Sequence, residues 1–534
     1  MLQLESPGAA AQKWWKRIPA HIKITFFAAV VIGFLTHTFM LTNKLVNHDD
    51  VEQLFHTMHY AIESGRWLLW LPAAFSTSWA MPWVNGVLGI LYLAVAACFI
   101  AALLRIKTPL YCVLLAALMV TFPAIAATFA YMNCADAYFF AVMLNCMAAY
   151  FTVRYRFGFC AGALLLACGL GIYQAYFSVA AGLFVAVLIL DLLRGEGAKR
   201  TLLRGALYAG TLAAAMAAYF VMVRLTAGDN LTSYQGINEM GRIRPSHLPI
   251  LVRRAYEGVS HYFVDNRYSD HFPAMRYLFL ILGAASVGLF GWLVARKKTY
   301  RNLGGFLLLC LLAVLFPLAC NLVFIMQGVA FYPHLLMIYG LILLPVFCLA
   351  LLQRTGEEIN KGAKPSRGNH IVAGVSWVVA LSLALSAFGN WTRSNQAYFK
   401  LHLVYEQGYA YSNTLLTRIQ HAEGYTGEEE IVFVGVPQVR YAVKPVWDLY
   451  GMTGIPDTLM QMHTYVDFLR YYLGNAQQIV RPSQQRLAEM GLAEIVEGMP
   501  LYPEEGSILR AEGRIVVRFS TYEQMTPDML FWLE

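Results

Sequence analysis

Apolar positions fall in long, nearly unbroken runs over the first 390 residues, and polar positions collect between the runs. Runs of this length predict membrane-crossing helices, because a hydrocarbon core about 30 Å thick takes ~20 residues at helical rise. Eleven segments qualify: about 24–42, 83–104, 109–130, 137–153, 158–175, 176–193, 205–225, 277–295, 303–327, 330–353 and 371–390. The fifth and sixth meet around Tyr173–Ser178, as a tight hairpin or a broken, re-entrant pair. Beyond 390 the pattern changes to short mixed elements: a helix over about 396–421, a strand at Ile431-Val-Phe-Val-Gly-Val, helices over about 457–471 and 483–490, and a strand at Ile515-Val-Val-Arg-Phe. The predicted fold is an all-α polytopic membrane region of about 11 helices over 1–390, followed by a small α/β domain over 391–534.

Composition agrees with that pattern. Of the 534 residues 58% are hydrophobic and only 13% charged, about half the charged share of a soluble domain. A soluble globular enzyme, a disordered chain and a disulfide scaffold are excluded. Residues 391–534 hold 11 Lys/Arg against 17 Asp/Glu, so the net charge of +8 comes from the membrane region. Such basic excess marks cytoplasmic loops and not nucleic-acid binding. With the amino-terminus inside, the inner loops carry Arg105/Lys107, Arg154/Arg156, Arg194/Lys199/Arg200/Arg204, Arg296/Lys297/Lys298/Arg301 and Arg354/Lys361/Lys364/Arg367. Lys13, Lys16, Arg17 and Lys23 precede the first segment, which lacks a cleavage pattern and reads as a retained helix. Eleven crossings place 391–534 outside. The nine cysteines show no CxxC pair and read as small packing residues.

The spans contain no Lys or Glu, which argues against an ion-coupled transporter or pump. Chemistry therefore belongs to the outer segments 43–82, 226–276 and 391–534. The first begins Asn47-His48-Asp49-Asp50-Val51-Glu52. Val51, Leu54, Phe55, Met58 and Ile62 then recur at helical spacing, predicting one amphipathic helix in the membrane interface that ends near Gly65-Arg66-Trp67. Asp49 and Glu52 have the spacing of a capping box, and capping alone accounts for one acid. A second acid beside His48 suits a general base with an orienting group. Asp136, in the turn before the fourth segment, either caps that helix or joins the acid pair at an outer cleft. Arg242, Arg244, Arg253, Arg254 and Arg267, with His261, Asp270 and His271, crowd the 226–276 loop. Their fork geometry suits either general headgroup contact or one specific lipid phosphate. Trp67, Trp70, Tyr131, Tyr138, Tyr173 and Tyr176 read as interfacial aromatics or sugar-stacking platforms. Two adjacent acids alone are a weak metal signal, and no glycine-rich nucleotide loop opens a helix.

A carboxylate pair in the first outer loop of such a chain resembles the GT-C glycosyltransferases. More narrowly, Asn47-His48-Asp49-Asp50, Leu54-Phe55, Gly65-Arg66-Trp67 and Tyr173-Gln174-Ala175-Tyr176 resemble the bacterial serotype-converting glucosyltransferases of the Gtr type-II family. The likeness covers the membrane region well and the C-terminal domain only by position and size. It implies an inner-membrane enzyme that moves glucose from undecaprenyl-phosphate glucose to O-antigen or a related lipid-linked or polymeric glycan, on the periplasmic face, with inversion. In that reading Asp49 takes the acceptor proton, Asp50 orients or assists, and Asp136 is a further acid of the site. Arg66, Arg242, Arg244 or Arg267 meets the departing lipid phosphate, and His48, Trp67, Tyr173, Gln174 and His271 complete the substrate contacts. Some superfamily members need a divalent cation and others do not. A flippase or transporter of a lipid-linked sugar and an O-antigen polymerase are the competing readings.

Overall fold

The computed structural model describes residues 6–55, 57–232, 244–265, 267–268, 273–329, 332–361, 367–437, 449, 452 and 464–525. Nine helices among them are long and apolar enough to cross a membrane: Ala20–Thr42, Pro82–Leu104, Met132–Arg154, Gln174–Leu193, Ala198–Thr226, Ala274–Lys297, Leu303–Cys320, Leu335–Asn360 and Gly368–Gln420. The pair Pro109–Thr121 and Pro123–Phe129, bent by 41°, makes a tenth if it is one broken span and not a re-entrant loop. The bend follows from Pro123, which has no N–H to donate and holds Phe122 extended at φ −57°, ψ 130°. Gly158–Ile172 is apolar but has 15 residues, about 22 Å of helix. Each predicted segment is thus at least partly helical, and the chain is a polytopic membrane protein.

One open alternative is decided and one departure has a clear cause. The segment around Tyr173–Ser178 is a short break: Tyr173 is extended at φ −154°, and a single 3-10 turn, Gln174–Tyr176, leads into Phe177–Leu193. At the other end, the last span and the first helix beyond it are one element, Arg367–Gln420, of 54 residues. The polar stretch between them, Trp391 to Gln396, contains no proline and no glycine. A change from apolar to polar side chains does not interrupt backbone hydrogen bonding.

The described residues form two compact units. One comprises Met1–Thr42, Phe55–Gln396 and Asp448–Met452; the other comprises Asn43–Leu54, Ala397–Trp447 and Thr453–Glu534. The second unit contains four strands: β1 (Ile431–Val434), β2 (Ile479–Val480), β3 (Ile508–Ala511) and β4 (Arg514–Arg518), in the order β2-β1-β4-β3. β1 runs parallel to β2 and to β4, and β3 pairs antiparallel to β4. Both sheet faces are covered. Ile431, Phe433, Ile515 and Val517 pack with Leu415, Ile419, Phe468 and Leu469, while Val432, Val434 and Val516 pack with Leu487, Leu492 and Val496. Burial on both faces is why β1 reads as a continuous apolar run and not as an alternating one. The predicted strands and helices are present where described. The hairpin partner β3, the short β2 and the helix Ala493–Gly498 are additional. Val46 and Val51, from the first outer segment, are part of the same core.

Candidate functional site

The acid pair is built by a cap. Asn47, extended at φ −109°, ψ −176°, precedes the helix His48–Glu52. The Asp50 N–H donates to Asn47 Oδ1 at 3.0 Å, and the Asn47 N–H donates to Asp50 Oδ2 at 3.2 Å. This is a reciprocal capping box, but its members are Asn47 and Asp50 and not Asp49 and Glu52. The expected single amphipathic helix through Ile62 is also corrected. It ends after five residues, Phe55 takes φ 75°, and Met58–Ser64 is a separate 3-10 helix. Val51 drives the break, because it is fully buried in the second unit's core and unavailable to a membrane-facing stripe.

The box separates two acids that look alike in sequence. Asp50 is completely buried. Burial and then the Asp50 charge push the nearby Tyr472 hydroxyl pKa up. Asp49 keeps 40% of its side chain exposed, with His48 Nε2 at 3.1 Å from its Oδ1. A hydrogen on Nε2 donated to Asp49 leaves a lone pair on His48 Nδ1, which is buried with no hydrogen-bond partner among the described residues. Asn47→Ala, which removes the box, is expected to destabilise the second unit by about 1 kcal/mol, seen as an earlier thermal transition of the full chain.

A second cluster forms in the first unit around Arg66. Its Nη1 donates to the Tyr138 hydroxyl at 3.0 Å, and its guanidinium carbon lies 5.2 Å from the Tyr173 ring centre and 5.9 Å from that of Tyr138. These two rings stack at 4.1 Å. The Arg66 Nε–H is buried and meets no acceptor among the described residues. The Gln174 amide donates to the Ser64 carbonyl and to the Tyr219 hydroxyl, both at 3.0 Å. The Leu68 N–H donates to the Gly171 carbonyl at 2.8 Å. Loop 65–68 thus lies against the break at Tyr173, and two glycines permit it. Gly65 has φ 71°, and a Cβ at Gly171 would come within 2.4–2.8 Å of the Trp67 indole. Gly171→Ala is expected to cost roughly 1–3 kcal/mol by overpacking and to lower activity through Trp67 and Arg66. Thermal unfolding and kcat/KM on one preparation check both effects. Arg66, Trp67, Tyr173 and Gln174 are therefore brought together, and with them Tyr138, which the sequence left among the belt aromatics, and Tyr219, which it did not single out.

Asp136 lies inside the helix Met132–Arg154 and does not cap it; the N-cap residue is Tyr131. Its Oδ1 accepts from the Asn85 amide at 3.0 Å, and the same amide donates to Ser76 Oγ at 3.1 Å. Asp136 is 1% exposed, and Oδ2 meets no donor at hydrogen-bonding geometry among the described residues. Asp136 belongs to the first unit and the acid pair to the second.

The 226–276 loop holds a helix the pattern did not predict, Leu248–Phe263, with Leu251, Ala255, Gly258 and Tyr262 on its buried side. It takes up two of the arginines. Arg254 Nη1 donates to the Val329 carbonyl at 2.6 Å, and Arg253 Nε pairs with Glu257 at 2.7 Å. His261 Nδ1 bonds the Tyr332 hydroxyl. Arg244 and Arg267 are exposed, and Arg242, Asp270 and His271 lie outside the described residues. Among the described residues no three His, Cys, Asp or Glu side chains gather at metal-binding spacing.

The family model described as Glucosyl transferase GtrII matches residues 38–345, more than half of the chain. The chain belongs to the GtrII glucosyl transferase family. It is therefore a glycosyltransferase of the membrane, and the transporter reading falls away. The match includes the acid pair, Arg66, Asp136, the Tyr173–Tyr176 break and the whole 226–276 loop. The sheet of the second unit lies beyond it. No curated protein matches the chain.

Proposed function

We propose that this GtrII member transfers glucose, with inversion, from undecaprenyl-phosphate glucose to O-antigen or a related lipid-linked glycan on the periplasmic face of a bacterial inner membrane. The basic loops put the amino-terminus inside, and residues 391–534 lie outside when the short apolar helix Gly158–Ile172 counts as an eleventh crossing beside the bent pair and the nine long helices. Asp49 removes the acceptor hydroxyl proton. The acceptor oxygen attacks the anomeric carbon opposite the phosphate through an oxocarbenium-like state, and the phosphate leaves on its lipid. Arg66 meets the charge that develops on that phosphate. In the first unit, Asp136 is a further candidate acid for the reaction. The reading rests on the division of labour in the acid pair: the Asp50 carboxylate serves the cap, whereas Asp49 lies outside the box with 40% of its side chain exposed and His48 beside it.

The test is transfer by the full chain in detergent, supplied with undecaprenyl-phosphate glucose and O-antigen, with the product anomer read by NMR. Inverted glucosyl product is the expected result. Transfer from UDP-glucose alone, or retention at the anomeric carbon, would overturn the donor or the mechanism respectively.

A further inference from the structure

The acid pair sits on a helix too short to stand alone. His48–Glu52 has five residues, about one and a half turns, and an isolated helix under ~12 residues is marginal in water. Tertiary contacts must fix it, and burial shows where they lie. Of residues 45–51 only His48 and Asp49 are not buried. Val46, before the cap, is 6% exposed, and Val51, after the acids, is fully buried. The pair is thus anchored on both sides, and Asp49 is the acid left accessible.

Both anchors enter one core. Val46 and Val51 share a cluster with Leu415, Phe468 and Leu469 on the Phe433 face of the sheet. The helix Thr464–Leu473 packs on His48–Glu52. Its Phe468 ring meets Tyr405 edge-on at 6.3 Å and stacks with Tyr472 at 5.3 Å. The opposite face of the sheet, where Val432, Val434 and Val516 pack with Leu487, Leu492 and Val496, takes in no residue of the first outer segment among the described residues. One sheet therefore has a face that carries the acids and a face that does not. The family match ends at residue 345. It contains the acid pair, but the later chain that anchors the pair lies beyond it.

We propose that the sheet domain is the scaffold of the catalytic base: Val46, Val51, Phe468 and Leu469 are positioning residues that hold Asp49 in its working place. The proposal rests on the reading of Asp49 as the base. A general base must come within hydrogen-bond reach of the proton it takes, and a misplacement of about 1 Å can cost ~10²-fold in rate. A cavity beside an anchor lets the short helix shift. A cavity on the opposite face weakens the same sheet without touching that helix.

The experiment uses the full chain in detergent, with the glucosyl transfer assay run well below the lowest unfolding midpoint. Val51→Ala and Phe468→Leu are compared with Leu492→Ala. Each anchor variant should lower kcat by at least roughly tenfold, with the donor KM within about twofold. Leu492→Ala should lower the unfolding midpoint and keep kcat. In an Asp49→Asn background Val51→Ala should change kcat by less than about twofold, because the group it positions is already gone. Should Val51→Ala not fold, Phe468→Leu, which keeps a large apolar side chain, carries the test in both backgrounds. An equal kcat loss in Leu492→Ala, or a full further loss on top of Asp49→Asn, overturns the proposal. An inactive Asp49→Asn beside unchanged kcat in the folded anchor variants overturns it alone, whereas full activity in Asp49→Asn overturns the base assignment and the proposal with it.

Discussion

Asp49→Asn is expected to reduce glucosyl transfer by roughly 10³-fold at unchanged thermal stability, while Asp50→Asn retains activity within about threefold. The first magnitude is that of a positioned general base, which contributes 10²–10⁴. The contrast comes from the cap. Asp50 Oδ2 accepts the Asn47 N–H inside a fully buried box, and an asparagine at 50 keeps an oxygen there, so the loop geometry survives neutralisation. Asp49 has no part in the box and exposes 40% of its side chain, so amidation removes a base without removing a cap. His48→Gln should fall between the two, at roughly tenfold, because the glutamine amide can still donate toward Asp49. Steady-state rates on purified variants with matched unfolding midpoints decide the assignment. Full loss in Asp50→Asn with activity in Asp49→Asn would exchange the two roles. Activity in both would reduce the pair to a helix cap, leaving the base elsewhere in the chain.

The membrane helices were legible because a hydrocarbon environment permits few alternatives: an apolar run of span length has to satisfy its own backbone, and a helix does so. The same logic fails for short segments between spans. Val51, Leu54, Phe55, Met58 and Ile62 have helical spacing, yet Val51 is fully buried in the second unit and Phe55 takes a positive φ. A tertiary core thus overrode a local period. The cap shifted for a related reason, since Asn47, Asp49 and Asp50 are all good cappers and only the extended backbone at Asn47 selects among them. The site residues divide along the same line. Arg66, Trp67 and Gln174 were singled out by motif, and the structure gathers them. Tyr138 and Tyr219 share their composition with every interfacial aromatic, so position in space alone distinguishes them. The Leu248–Phe263 helix was hidden in a loop whose arginines drew attention, although two of those arginines serve local ion pairing and a backbone carbonyl.

Arg66→Lys is expected to lower kcat/KM for the lipid-phosphate donor by roughly 10²–10³, the range for losing one positioned donor of a charge-stabilising site. Lysine keeps the charge and loses the fork. In the native chain that fork has two distinct tasks. Nη1 is committed to the Tyr138 hydroxyl at 3.0 Å, and the plane lies close to the stacked Tyr138 and Tyr173 rings. This fixes the guanidinium before substrate arrives, while the buried Nε–H has no acceptor among the described residues. An ammonium group cannot make both the tyrosine bond and a directed bond at the Nε position. Tyr138→Phe tests the positioning half. It removes the acceptor of Nη1 but keeps the ring, and a loss of roughly tenfold is expected. In the double variant the Tyr138 change should add little, because the geometry it maintains is already gone; such non-additivity is the signature of a coupled pair. The kinetic split separates the chemical role from a structural one. Stabilisation of charge developing on the leaving phosphate lowers kcat, whereas a role confined to packing loop 65–68 against the Tyr173 break lowers the unfolding midpoint and leaves kcat of the folded fraction intact. If Arg66→Lys shows the second pattern, the donor phosphate is met by another group, and the exposed Arg244 and Arg267 become the next residues to vary.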